Sequence, residues 1–200
     1  MRALGSAGND APAYDARMLA HVALLRGINV GGKNIIRMDA LAASFERLGF
    51  ESVKTFIASG NVVFCAPKQD LRALEKRIEN ALTKAHAYDA TVVVRSAPEV
   101  AAMVGKMPRT WAKPNSAFRY YVIFLRHEID SREVLDELQP KPGVETLDYA
   151  PGVLFWAAKR AALAKSTVAK LGRSRLYKYV TVRNLNTAQK LAELVQSANR

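Results

Sequence analysis

Arg26 and Lys33 enclose Gly27-Ile28-Asn29-Val30-Gly31-Gly32, and Asn34 follows them, so two cations, two amides and three glycines fall in one short stretch. Glycine takes backbone angles that a Cβ forbids, which lets such a segment turn its N–H groups toward one point. Successive amides of that kind, with cations beside them, cradle anions. The chemistry on offer is recognition of a phosphate or another anion. Gly27 to Lys33 also has the phosphate-loop spacing G-x-x-x-x-G-K, but Asn34 stands where a magnesium-binding Ser or Thr belongs. The following amphipathic pattern starts near Met38, whereas a phosphate-loop helix begins at its lysine. Classical ATP hydrolysis is therefore not expected.

Two further stretches have matching chemistry. Ser59-Gly60-Asn61 offers a tight turn with hydrogen-bonding side chains. Thr181-Val182-Arg183-Asn184-Leu185-Asn186-Thr187, with Lys190 one turn on, reads as a helix start beside an arginine fork suited to carboxylate or phosphate. Covalent catalysis has no comparable signal. Cys65 sits inside an apolar strand pattern, Ser59 and Ser166 have no evident base, and no carboxylate pair stands out. His21, His86 and His127 are far apart, and no Cys/His spacing suits zinc. No cofactor is implied.

The chain has 200 residues, half of them hydrophobic, enough for one large or two small domains with a real core. Its formal charge is +12, concentrated in the second half. From Lys159 to Ala192 there are nine basic residues and no acidic one. Such a field attracts phosphates, nucleic acid or acidic surfaces. A single cysteine excludes an internal disulfide, and no apolar run approaches the ~20 residues of a membrane span. Residues 1–17 lack a signal peptide's apolar core and read as a flexible N-terminal extension. A cytoplasmic protein without a membrane partner is expected.

The elements that must position these motifs alternate regularly. Residues 19–25 form a strand, Leu41, Phe45 and Leu48 mark one face of a helix, and two short strands flank Ser59-Gly60-Asn61. A helix follows over residues 69–87, then a β-branched strand over 91–95. Ser96 and Glu99 spell a capping box for a helix ending at Gly105. After a proline-containing linker, 106–117, the pattern recurs. It has strands at 119–125, 144–149 and 153–158, a helix capped by Asp130 with Glu133, a helix over 160–171 and a strand over 176–182. A last helix from Thr187 takes Asn186 as its N-cap. Strand, helix, strand, strand, helix, strand is the split βαβ order. The fold class is α+β, with two ferredoxin-like (βαββαβ) halves in tandem, 18–105 and 118–200, plus a C-terminal helix. The repeat is visible in element order and not in residue identity.

In that arrangement the third strand lies between the first and second, which brings the Arg26 to Asn34 loop beside Ser59-Gly60-Asn61. RNA-recognition modules share the order but display aromatics on the sheet. Here the first half's third strand offers only Phe64 and its first strand none, and Tyr120, Tyr121, Phe124, Phe155 and Trp156 read first as core.

At ALLRGINVGGKN, TFIASGNVVF and TVRNLNTAQKL the sequence closely resembles domain-of-unknown-function family 1697, from about Met18 to Leu194. The resemblance implies an α+β fold with ferredoxin-like halves and implies no activity. Arg26, Gly27, Asn29, Gly31 and Gly32 match its first motif, and Ser59, Gly60 and Asn61 its second. Thr181, Arg183, Asn184, Asn186, Thr187 and Lys190 match its third. Phe56 stands where tyrosine is usual, and Leu185 where tryptophan is.

The expectation is an anion-binding protein, with nucleic acid among the ligands considered, using Arg26, Gly27, Asn29, Gly31, Gly32, Lys33, Asn34, Ser59, Asn61, Arg183, Asn184 and Thr187. Two alternatives compete with it. One is an enzyme acting on a small anionic metabolite, polarised by Arg and Asn. The other is an interaction module whose basic second half, with Lys165, Lys170 and Arg173, docks an acidic partner.

Overall fold

The computed structural model describes residues 18–199; the expected extension, 1–17, lies outside them. In the first half, β1 (Met18–Leu25) is followed by α1 (Met38–Glu46), β2 (Glu51–Phe56), β3 (Asn61–Pro67), α2 (Leu71–His86) and β4 (Val92–Ser96). The strands form one antiparallel sheet of order β2-β3-β1-β4. After α3 (Ala97–Lys106) and a 3-10 turn at Arg109–Ala112 come β5 (Phe118–Leu125), α4 (Val134–Leu138), β6 (Glu145–Ala150), β7 (Val153–Lys159), α5 (Thr167–Leu171), β8 (Val180–Asn184) and α6 (Leu185–Ala198). The second antiparallel sheet has the order β6-β7-β5-β8. The architecture is α+β, with two four-stranded sheets.

β1 is apolar at nearly every position because both of its faces are covered. Ala23 and Leu25 pack with Leu41, Phe45, Phe64, Leu74 and Ile78 under α1 and α2. Ala20, Val22 and Leu24 face a central core shared with Val122, Phe124, Phe155, Leu191 and Val195. α3 and α6 lie in that core and join the inner faces of the two sheets. Trp111, in the stretch read as a linker, is also buried there, edge-on to Tyr120 and Phe155. A third core, on the outer face of the second sheet, holds Ile123, Leu125, Leu154, Trp156 and Leu176. Three of the strand aromatics are not free to stack bases: Tyr120 and Phe155 belong to the central core and Phe64 to the first.

Several expected elements differ in detail. Asp130 does not cap α4; it accepts from the Gly152 amide at 2.7 Å and the Tyr149 hydroxyl at 3.0 Å, and so fixes the β6–β7 turn. The helix expected over 160–171 is a 3-10 turn followed by α5, because Ser166 is fully buried and caps the Ala169 amide. Residues 175–179 form a 3-10 turn, so β8 starts only at Val180. α6 begins two residues early. Leu185 is buried in its first turn, and Asn184, not Asn186, caps the Thr187 amide at 2.8 Å. The Ser96–Glu99 capping box is present.

The two halves also match in register, a residue-level correspondence the sequence comparison did not reveal. Val22 pairs with Arg95 and Val122 with Arg183. The Leu25 amide donates to the Gly60 carbonyl at 2.8 Å, and the Leu125 amide to the Gly152 carbonyl at 2.9 Å. Arg26 and Arg126 follow, each donating its amide to the residue just before the edge strand, Thr91 and Tyr179. Ser96 and Asn184 then cap the two central helices.

Candidate functional site

The loop after β1 and the β2–β3 turn do meet at one rim. Asn29 Nδ2 donates to the carbonyls of Ala58 at 2.8 Å and Ile36 at 3.0 Å, and its Oδ1 accepts from the Ile36 amide at 2.8 Å. Asn34 Nδ2 closes the loop on the Gly27 carbonyl at 2.9 Å. Both asparagines hold positive φ, which this residue tolerates better than most. Gly31 and Gly32 also have positive φ (58° and 73°) and form the tip of a small hairpin in which the Lys33 amide donates to Val30. Two positive-φ residues in succession are what a tight two-residue hairpin requires. The glycines therefore make a projecting finger and not a concave amide cradle, and α1 starts five residues after Lys33.

Arg183 crosses from β8 into this rim and is only 7% exposed. Its Nε donates to Asn61 Oδ1 at 2.6 Å, and Nη1 to Thr181 Oγ1 and the Val182 carbonyl. Nη2 donates to the carbonyls of Leu25 at 2.8 Å, Ser59 at 3.1 Å and Gly60 at 3.2 Å. No carboxylate faces it among the described residues, and burial pushes its pKa down to about 10. Asn61 is itself fully buried, donating to Phe56 and Ser59. The donors of Arg183 are thus all spent within the chain, Nε and Nη2 on the first half and Nη1 on its own strand. Gly60 is required beside it. Its φ is +78°, and a Cβ there would lie 2.8 Å from the Cβ of Leu25 and from Ile28.

The chemistry left for a ligand at this rim belongs to Arg26 and Lys33. Arg26 is half-buried, lies over the Tyr177 ring at 5.0 Å and makes one long bond, 3.4 Å, to Thr91 Oγ1. Its Nε is covered and has no partner among the described residues. Lys33 is exposed at the finger's tip, between exposed Val30 and Ile35. Nothing in the spacing around Tyr177 signals that a 3-10 turn carries it to Arg26, while the adjacent Lys178 lies over the Tyr179 ring at 4.8 Å. Thr187 is buried with its amide capped, and Lys190 pairs on the surface with Glu193 at 2.9 Å.

The equivalent rim of the second half is assembled from residues the sequence reading passed over. Arg95, fully buried, donates to the carbonyls of Leu125, Gly152 (3.3 Å) and Val94. Its Nε faces no acceptor among the described residues, because Val153 stands where the first rim has Asn61. Glu75 and Glu79 reach over from α2 and accept from the Val94 and Val92 amides, both at 2.9 Å. Arg126 pairs with Glu79 and Glu128, and Glu75 lies 3.9 Å from Arg95 and 4.0 Å from Arg126. Burial raises the Glu75 pKa to about 7, outweighing the Val94 amide and the two arginines. The repeated Leu-Arg at 25–26 and 125–126, and V-x-V-R at 92–95 and 180–183, are the sequence signals that mark both rims.

A family model described as "Protein of unknown function (DUF1697)" matches residues 18–155. The chain belongs to the DUF1697 family. The match includes the first two motifs and ends before the Thr181–Lys190 stretch. Among solved structures, the DUF1697 chain is similar to the conserved bacterial protein SP0830 from Streptococcus pneumoniae, at 24% identity over 89% of this chain and 99% of that one, with a TM-score of 0.79. This likeness concerns the fold. A protein from Galdieria sulphuraria, described as unknown, aligns over 84% of this chain and 97% of its own at 15% identity, with a TM-score of only 0.25. No curated protein matches the sequence. Among the described residues no helix is long and apolar enough to cross a membrane, and no group of three or more His, Cys, Asp or Glu could hold a metal ion.

Proposed function

We propose that this DUF1697 protein binds a phosphate-bearing polyanion, nucleic acid, in the cytoplasm, at the rim carrying Arg26, Lys33 and Tyr177. Each half is read as a ferredoxin-like unit, 18–105 and 118–200, since both sheets have the edge-to-edge order of a split βαβ pair. The observation that carries the functional reading is the unequal fate of two equivalent arginines. Arg126 is paired with Glu79 and Glu128, while Arg26 rests on an exposed aromatic ring with no carboxylate partner among the described residues. A guanidinium on an aromatic face with its edge toward solvent suits a phosphate and an adjacent base. The inner sheet faces are closed by α3 and α6, so contact falls to the rim and the finger. Asn61 and Arg183 hold that rim together through bonds within the chain.

Fluorescence anisotropy of a labelled single-stranded oligonucleotide, read across a salt series, tests the reading. Wild type should bind with an affinity that falls linearly with salt on logarithmic axes. The Arg26→Ala/Lys33→Ala variant should bind at least about tenfold more weakly, with a slope shallower by about 1.4 for two lost phosphate contacts. Unchanged affinity in that variant, at unchanged melting temperature, would overturn the proposal.

A further inference from the structure

The second half carries a cleft that belongs to neither rim. β8 leaves its sheet at Asn184, opposite Tyr121, whereas β5 begins three residues earlier. Phe118, Arg119 and Tyr120 therefore keep β7 on one side and have no strand on the other. The gap is a cleft of about 310 Å³, with Arg119, Tyr121, Arg160 and Asn186 in its walls. That volume lies at the lower end of the range of small-molecule sites, about 300–1,000 Å³.

Its lip is fixed by hydrogen bonds that leave charge free. The Asn115 amide donates to Tyr120 Oη at 3.0 Å, and Asn115 Oδ1 accepts from the Ala117 amide at 2.8 Å. Arg160 donates its backbone amide to Ala117 at 2.9 Å and its Nε to the Ser116 carbonyl at 2.7 Å. Anchoring at Nε orients the planar fork, and Nη1 and Nη2 meet no acceptor among the described residues. Arg119 is exposed and likewise has no acceptor among them. Arg119 and Tyr121 are two apart on β5 and so share one face of the sheet. Tyr121 is braced from within by Trp156, with ring centroids 5.1 Å apart and planes 30° apart. Among the described residues no acidic one lines the cleft. Two arginines with no competing carboxylate suit a phosphate, and a braced aromatic wall suits a planar ring.

We infer that the cleft between the start of β5 and the start of α6 binds a mononucleotide-like ligand, its phosphate taken by Arg119 and Arg160 and its ring laid against Tyr121. This does not depend on the rim described above. Isothermal titration of the full chain with AMP should give one saturable site. Arg119→Gln and Arg160→Gln should each weaken it about tenfold, the loss of a charge-assisted hydrogen bond. Adenosine alone and inorganic phosphate alone should each bind at least about tenfold more weakly than AMP. The Arg26→Ala/Lys33→Ala variant should bind AMP as wild type does. Amide chemical shifts of wild type, titrated with AMP and needing no variant, should move at residues 115–121 and 184–186. Absent saturation, indifference to both arginine changes, phosphate binding as tight as AMP, loss in the rim variant, or shifts centred elsewhere would each overturn the inference.

Discussion

At one rim Arg183 reaches from β8 to the carbonyls of Leu25 and Gly60; at the other Arg95 reaches from β4 to those of Leu125 and Gly152. The backbone arrangement is the same, and each half closes the other's strand end with an arginine. Their surroundings diverge. The first rim satisfies Arg183 with neutral acceptors, Asn61 and Thr181 among them, and leaves Arg26 over Tyr177. The second brings in Glu75, Glu79 and Glu128, so that Arg126 is neutralised and Arg95 has a carboxylate nearby. A buried arginine can be held by carbonyls alone when all its donors are met. Doing so without carboxylates keeps the rim positive. The comparison thus separates a clasp, common to both ends, from an open cation present at one.

The largest effect should come from opening the neutral clasp. Arg183→Ala orphans acceptors at Ser59 and Asn61 and leaves the Leu25 carbonyl only the long bond from Thr181 Oγ1, 3.4 Å, and should cost roughly 3–5 kcal/mol of unfolding free energy at ~1–3 kcal/mol per unmet group before relaxation. Urea denaturation measures it, and a loss below about 1 kcal/mol would mean that the clasp does not join the halves.

That clasp is also where the sequence was least legible. Hydrophobic period and turn residues disclosed β1, α2, the Ser59–Asn61 turn and the capping box, because each rests on local preference. Nothing local distinguishes a buried arginine from a surface one. The sequence around Arg183 suggests an anion fork because its partners in the first half lie more than a hundred residues away, and Asn186 looks the better cap until Leu185 is drawn into the core. The finger was anticipated as a glycine loop, but its hairpin form depends on Asn29 and Asn34 bonding back to the chain. The short 3-10 turns at 160–165 and 175–179 were read as helix and strand, since Ser166 and Ser174 interrupt the pattern with caps that only packing selects.

The charged clasp should betray itself by pH. Glu75 has a folded pKa near 7, above its ordinary 4.5, because burial favours the protonated form. Its contribution is therefore fully present below about pH 4.5 and is lost as pH rises through 7. At ~1.4 kcal/mol per pKa unit the loss is about 3 kcal/mol. Glu75→Gln keeps the acceptor for the Val94 amide and should flatten that segment of the stability curve. A wild-type curve as flat as the variant's would count against the buried carboxylate.

Adding one methyl at each turn compares the two clasps directly. Gly60→Ala presses on the Cβ of Leu25, which the backbone holds, and should cost about 2–3 kcal/mol. Gly152→Ala meets Met103 Cε and Arg95 Nε, ends of longer side chains that can yield, and should cost about 1–2 kcal/mol. Thermal melts of the pair give the order. The smallest change belongs to the open cation: Arg26→Ala should shift stability by less than about 1 kcal/mol, against about 2 kcal/mol for Arg126→Ala, whose loss leaves Glu79 and Glu75 short of a partner.

The most direct test gives Arg26 the neutralised condition that Arg126 already has. Tyr177→Glu places a carboxylate at an exposed position facing Arg26. Anisotropy of the labelled oligonucleotide should then show affinity reduced at least about tenfold, with the melting temperature unchanged. Affinity equal to wild type in that variant would contradict the account.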